Sequence, residues 1–561
     1  MTPTPAETPA AGPASPPAAP AGASPPATAA TPDPSPPAPS AAADLDPYAE
    51  LEHRRRRALE LGGAEAVAAH RARGRQTARE RIAAIADAGS FHELGILAGK
   101  GRYDAQGRFV DATPSNAIIG TARVEGRRVV VSADDFTLRG GSSESTVSDK
   151  WVYAERYAHE MALPLVRMVD TAGGSVRLLE QQQSTKIPGY ASWPSMSLLG
   201  RVPVVGIALG ACAGLGAIKV AASHFSVMVR GASQLFAGGP PVVRQGIGVE
   251  IDKETLGGWE VHVRQSGVVN NVADDEAGAF EQARRFLSYL PGCVDEAPPV
   301  APARPADPAA QAWLDAAVPA DRRKVYDPRR IVRTLFDVDS VFEIAPLYGG
   351  ALIACLARFD GHPVGVLAGD PRVSGGALTS AAARKLERFV DLCDTFHLPI
   401  VHFVDAPGVM FGLEAERIGT MRDALRAIGA IEQARVPWLS IVVRRAFGVG
   451  GGMHGPKHGP EGRSLNHRVA WPTARWGSIP IEGGVAAAYR RDIEASEDPR
   501  ARRDELEAYY HRLSSPFRTA ERFGVVDLIR PSETGLVIRD WLADAARLVA
   551  RRTGERRRTM R

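Results

Sequence analysis

Cysteine is scarce in this chain. Four residues, Cys212, Cys293, Cys355 and Cys393, are spread over 561 positions without a Cys-x-x-Cys pair, so neither a disulfide framework nor a zinc ribbon is available. A reducing cytoplasmic compartment is expected. No apolar stretch reaches the roughly 18 residues of a membrane span, because runs such as Val202 to Leu209 break at glycine. An excess of one charge is also missing. Lys plus Arg is 68 against 64 Asp plus Glu, a formal charge of +4, which excludes the broad basic footprint of a nucleic-acid-binding protein. The clusters Arg54 to Arg57 and Arg556 to Arg558 read as solvated helix faces or tails. There is no Walker A lysine motif, and no Gly-x-Gly-x-x-Gly follows a first strand with an acidic residue about twenty positions on.

Residues 1–45 are almost entirely Pro, Ala, Ser, Thr and Gly. They lack the basic and apolar segments of a signal or transit peptide and are expected to be a disordered tail. The remaining length is more than one hydrophobic core organises, so two or more domains are expected.

An internal repeat divides that length. Ala122-Arg123-Val124-Glu125-Gly126 recurs as Ala357-Arg358-Phe359-Asp360-Gly361, Gly140-Gly141 as Gly375-Gly376, Pro164 as Pro399, and Val169-Asp170 as Val404-Asp405, all at an offset of 235. Arg201-Val202-Pro203 then matches Arg435-Val436-Pro437 with a slip of one. Strands are predicted at 129–132, 165–169 and 204–207, with a helix at 148–161. Their counterparts fall at 364–368, 400–404 and 440–443, with a helix at 381–396, so each half reads as an α/β unit. The expected organisation is a first domain over 46–296, a linker rich in Pro, Ala and Asp over 297–325, and a second domain over 326–561.

In each half an apolar strand runs into a glycine-rich turn: Gly210 to Ala217, and Phe447 to Met453. Glycine there can serve only the unusual backbone angles of a tight turn. It can also aim backbone N–H groups, with a helix dipole behind them, at a developing oxyanion. Two such turns suit group transfer between two carbonyl-bearing reactants, although duplication alone would copy the turn. Competing chemistry has less support. Ser223 and His224 are adjacent and lack a nucleophile elbow around them. His454 and His458 stand four apart without the Glu of a zinc protease, so no metal is expected.

The ordered segments Arg73-Gly74-Arg75-Gln76-Thr77-Ala78-Arg79-Glu80-Arg81-Ile82, Asp135-Phe136-Thr137, Cys212-Ala213-Gly214, Leu287-Ser288-Tyr289-Leu290-Pro291, Tyr326-Asp327-Pro328-Arg329, Phe403 to Gly408 and Ala470-Trp471-Pro472-Thr473-Ala474 resemble the carboxyltransferase (β) subunits of biotin-dependent acyl-CoA carboxylases. That group includes the propionyl-CoA, acetyl-CoA and methylcrotonyl-CoA enzymes, with related transcarboxylase and decarboxylase subunits. The resemblance implies two tandem crotonase-like domains, the first holding the acyl-CoA and the second holding biotin. It also implies a hexameric ring whose active site needs at least a dimer, and a partner α subunit carrying biotin carboxylase and the biotin carboxyl carrier. This chain has no ATP-binding glycine loop and no Met-Lys-Met acceptor, so biotin would be borne by the partner.

By the same resemblance, backbone N–H groups of Gly214 and Leu215 would hold the thioester oxygen, and those of Val449 and Gly450 the biotin carbonyl. Ala213 would flank the CoA side, and Phe447, Gly448, Gly451 and Gly452 the biotin side. Arg73, Arg75 and Arg79 would contact CoA phosphates, or form a plain surface helix. Leu215 stands where the family has a second glycine, and Gly452 where short-chain members have aspartate. The implied substrate is propionyl-CoA or a similar short or branched acyl-CoA. A decarboxylase or transcarboxylase running the same chemistry is the alternative, with a non-catalytic acyl-CoA-binding paralogue as a further one.

Overall fold

Long runs of Val, Ile, Leu and Ala without polar alternation dictate strands covered on both faces, the pattern of a parallel sheet enclosed by helices. The computed structural model describes residues 46–185, 193–319, 321, 324–456 and 466–556. The 1–45 tail, His458, Arg557 and Arg558 lie outside the described residues. The first half contributes β1 (His92–Leu94), β2 (Gly99–Tyr103), β3 (Phe109–Pro114), β4 (Ala117–Val124), β5 (Arg127–Asp134), β6 (Leu165–Thr171), β7 (Val204–Ala213), β8 (Phe225–Val229), β9 (Gln234–Phe236) and β10 (Asn271–Ala273). The second contributes β11 (Phe342–Glu343), β12 (Leu352–Phe359), β13 (His362–Gly369), β14 (Ile400–Ala406), β15 (Trp438–Phe447), β16 (Asn466–Ala470), β17 (Arg475–Gly477) and β18 (Asp527–Leu528).

Two sheets of eight strands result, with the same topology. The first runs β1-β4-β5-β6-β7-β8-β10 with β9 on β7, and the second β11-β12-β13-β14-β15-β16-β18 with β17 on β15. Register repeats residue by residue. Val131, Val166 and Val205 stand side by side across β5, β6 and β7, as Val366, Val401 and Leu439 do across β13, β14 and β15. These are the two tandem crotonase-like α/β units that the sequence implies.

The repeat extends upstream at a different offset. The Asp87 carboxylate accepts from the Glu125 and Gly126 N–H groups at 2.9 and 2.8 Å. Asp337 accepts from those of Asp360 and Gly361 at the same two distances. Arg79 pairs with Glu93 at 2.8 Å and Arg329 with Glu343 at 2.6 Å. These upstream partners are 250 apart, because the first half alone inserts the antiparallel β2–β3 ribbon between Leu94 and Asn116. The helix Pro47–Leu59 docks on that ribbon, with the Arg54 guanidinium 3.7 Å from the Phe109 ring centre and Arg57 3.2 Å from Asp111. Arg54 and Arg57 are therefore not simply solvated, as their run of like charge predicts.

A continuous core joins the halves. Phe225 stacks on Phe286 at 5.0 Å and meets Phe342 edge-on at 5.5 Å. Phe225 and Phe286 are fully buried and Phe342 nearly so, and burying such a ring stabilises by about 1.5–3 kcal/mol. Described residues of the 297–325 segment pack on the core of the second half. Leu314 is fully buried and the Trp313 indole N–H donates to Thr334 Oγ1 at 3.1 Å.

Candidate functional site

Each glycine turn sits where its longest strand, β7 or β15, passes into a helix. Gly214 (φ 57°) precedes the helix Leu215–Ala221, and Gly448 (φ 59°) opens the single turn Gly448–Gly451. That left-handed angle suits glycine, so both turns depend on it. The first N–H groups of a helix have no acceptor within the helix and point outward along its axis. Both turns thus present backbone donors backed by a dipole.

The donors are not all free. The Gly214 N–H donates to the Phe236 carbonyl at 2.9 Å, continuing the β7–β9 ladder in which Ala213 faces Phe236. Leu215 begins the helix, and its side chain is half-buried against Ala117, Trp151, Val152 and Trp193. The extra bulk relative to glycine is absorbed there by a pair of tryptophans 5.5 Å apart. In the second turn Phe447 is buried and faces Gly477 across β15–β17. Val449 is 56% exposed, while Gly450 and Gly451 are buried. A side chain on Gly450 would stand 2.6 Å from the Gly408 carbonyl carbon, so this turn packs backbone against backbone. Gly452 ends it, its N–H donating to Gly448 and Val449.

The three arginines do not converge. Arg79 is held by Glu93. Arg75 donates to the Ala232 carbonyl at 3.2 Å and lies 3.8 Å from Asp170. Arg73 is exposed at the end of its helix.

Beneath the turns lie the repeated aspartates, each fully buried. Asp170 is met by Arg81 at 3.0 Å, and Arg81 also binds Glu276 at 2.6 Å. Asp405 is met by Arg444 at 3.0 Å, Arg445 at 2.6 Å and the Tyr326 hydroxyl at 3.0 Å. Each carboxylate has a cationic partner, as buried charges must. Both oxygens of Asp405 are engaged, while Asp170 binds Arg81 through Oδ2 and its Oδ1 is buried without a hydrogen-bond partner among the described residues. Nearby Cys212 is no thiolate, since burial, with Asp170 adding, pushes its thiol well up. Ser223 donates to the Val220 carbonyl at 2.7 Å, and both His224 ring nitrogens are engaged by the Val204 N–H and the Leu199 carbonyl. No Ser-His-Asp relay exists among them. His454 is buried with its ring centre 6.5 Å from that of His402, and among the described residues no group of three or more His, Cys, Asp or Glu could hold a metal.

Residues 69–557 match the carboxyl transferase domain family. The chain belongs to that family. It is 35% identical over 492 residues to the propionyl-CoA carboxylase carboxyltransferase subunit of Haloferax mediterranei, covering 86% of this chain and 93% of that protein. It is 32% identical over 501 residues to the methylmalonyl-CoA carboxyltransferase 12S subunit of Propionibacterium freudenreichii subsp. shermanii, covering 88% and 93%. The crystal structure of the transcarboxylase 12S hexamer with methylmalonyl-coenzyme A and methylmalonic acid bound superposes with a TM-score of 0.79 at 29% identity, covering 91% of this chain and 97% of that one. As a carboxyl transferase the protein is an enzyme subunit moving a carboxyl group to an acyl-CoA, in a biotin-dependent family whose biotin rides on another subunit. No described helix is long and apolar enough to cross a membrane.

Several parts of the site escaped sequence reading. The Phe236 carbonyl that engages Gly214 comes from β9, a strand of three residues, and the Gly408 contact under Gly450 is long-range. Gly140-Gly141 and Gly375-Gly376 served only as landmarks of the repeat. In the structure the Gly140 carbonyl accepts from Ala172 at 2.9 Å, and the Gly375 carbonyl from Arg445 at 2.8 Å, so each pair is tied to the strand-end region of its own half.

Proposed function

We propose that this chain holds an acyl-CoA at its first glycine turn and partner-borne biotin at its second, and carboxylates the acyl α carbon through an enolate. The observation that carries the reading is the pair of turns at equivalent strand ends, Gly214 at φ 57° and Gly448 at φ 59°, each followed by first-turn N–H groups. At the first, the Leu215 N–H and its helical successors would stabilise the thioester oxygen as it takes charge, with Gly214 already engaged. At the second, the Val449 and Gly450 N–H groups would hold the biotin carbonyl. Biotin fits there, because Gly448 is exposed and a side chain on it would meet only the Ser478 carbonyl at 3.5 Å. When presented, biotin supplies the carboxyl group and the base. Removing one such backbone donor costs about 3–4 kcal/mol of transition-state stabilisation.

The substrate proposed is propionyl-CoA or a similar short or branched acyl-CoA, with Ala213 beside the thioester and Arg73 the arginine still free to approach phosphate. Phe447, Gly451 and Gly452 shape the biotin side. The partners proposed are an α subunit with biotin carboxylase and carrier functions, and further copies of this chain. Exposed Phe411, Leu413, Ile418, Met421 and Leu425, in the segment that follows Gly408, support such a copy, since lone proteins seldom leave so much apolar surface in water. The test is carboxylation of an acyl-CoA panel by the chain with a biotinylated partner and ATP. Avidin-sensitive product from one ester is expected; acyl-CoA binding without turnover on any of them would overturn the reading.

A further inference from the structure

A cavity lined by arginines and by apolar side chains lies apart from the residues of both turns, at the seam between the halves. It measures about 210 Å³ and is lined by Arg127, Arg284 and Arg358, with Val124, Leu287, Pro299, Val300 and Ala301 as apolar walls and, among the described residues, Glu125 as its one carboxylate. Its cations are weakly compensated. Arg127 donates only to the Leu287 carbonyl at 2.7 Å and the Leu290 carbonyl, and Arg358 only to the carbonyls of Pro299, Gly361 and Ser288 at 3.1, 3.1 and 2.7 Å. Among the described residues neither has a carboxylate within 4.0 Å, whereas Arg284 pairs with Glu281 at 3.1 Å. Burial lowers the pKa of both Arg127 and Arg358, and Arg358 adds to the effect on Arg127. Glu296 and Glu125 act on Arg127, and Asp337 on Arg358, only through space.

We infer that this seam cavity binds the phosphate group of a phosphate monoester, its arginines taking the oxyanion and its apolar walls the organic body. Guanidinium groups match phosphate oxygens in geometry and remain charged at any physiological pH. The four segments involved are the β4–β5 turn, the end of the helix Glu276–Tyr289, residues 299–301 and the end of β12. A ligand there would tie the two halves together and stabilise the folded chain by mass action. The inference does not depend on the carboxyl-transfer reading.

The experiment is thermal unfolding of the full chain with inorganic phosphate or phenyl phosphate, against chloride at equal ionic strength. Tm should rise with the logarithm of phosphate concentration once that exceeds Kd, and from a lower concentration with phenyl phosphate, since only the monoester can use the walls. Substituting Arg127 would also uncap the helix end, so the deciding variants are at Val300, which is 58% exposed. Val300→Gln should behave as wild type, while Val300→Glu should weaken both ligands at least about tenfold, the effect of one like charge at close range. No rise beyond the chloride control, or an unchanged rise in Val300→Glu, would overturn the assignment. Equal potency of the two ligands would overturn the monoester and leave a site for inorganic phosphate alone.

Discussion

Alanine at Gly450 should stop turnover while leaving acyl-CoA binding intact. The new Cβ would stand 2.6 Å from the Gly408 carbonyl carbon and 2.8 Å from the Val409 nitrogen, where ordinary contact begins at 3.4 Å. Both neighbours are backbone and cannot swing aside, so the turn itself must retreat by about 0.8 Å, enough to spoil a reacting geometry. Losing one donor costs roughly 100- to 1000-fold in kcat. The assay is avidin-sensitive carboxylation beside a direct Kd for the acyl-CoA. Gly483→Ala is the control, because no atom lies within 4 Å of its Cβ position in the helix Ile481–Ala488; it should keep full activity and gain up to about 1 kcal/mol of stability. A Gly450→Ala enzyme with wild-type kcat, or one whose acyl-CoA Kd weakens as much as its kcat falls, would refute the assignment of this turn to biotin.

Leu215→Gly keeps the backbone donor but removes a half-buried side chain from Trp151 and Trp193, so stability should drop by about 1–2 kcal/mol in thermal melts while kcat stays within a few-fold. Asp405→Asn leaves Arg444 and Arg445 facing a neutral amide, and urea unfolding should report a loss of about 3–5 kcal/mol. His402 is buried, and desolvation lowers its pKa to about 3 from 6.5. Above pH 6.5 it is neutral folded or unfolded and has no effect on pH dependence. Between pH 6.5 and 3 only the unfolded chain takes the proton, so stability falls as pH drops, with a slope approaching about 1.4 kcal/mol per pH unit. His402→Gln should remove that slope in urea midpoints measured from pH 7 to 4; an identical pH profile in the variant would refute it.

The sheets were legible because their central strands are short, mostly apolar runs rich in Val, Ile and Leu, and the 235-residue offset followed from landmarks in and beside them. The 250-residue offset upstream was hidden by the β2–β3 insertion, which moves Arg79 and Glu93 out of step with Arg329 and Glu343. For the same reason Arg79 looked available for phosphate. Its partner Glu93 lies across the start of the sheet, and only the second copy of the pair marks the contact as architecture. The turns were visible as glycine clusters, but which N–H is free was not, since that depends on a carbonyl from β9.

The aspartate pair shows how far duplicated halves can diverge while keeping one buried charge. Asp170 draws its cation from Arg81 on the helix Ala78–Ile85, and Gly210 must lack a side chain because a Cβ there would come within 2.0 Å of Asp170 Oδ1. In the second half the position matching Arg81 is Ile331, fully buried in the core, and the position matching Gly210 is Arg444, which supplies the cation. Neither exchange is tolerable alone: a lone isoleucine at 81 would strand Asp170, and a lone arginine at 210 would crowd it. A cation against the buried carboxylate is therefore a constraint on the pair. It explains why both aspartates survive in a chain whose two turns otherwise share little sequence. They hold the strand ends from which the backbone donors project, Asp405 through both of its oxygens and Asp170 through Oδ2.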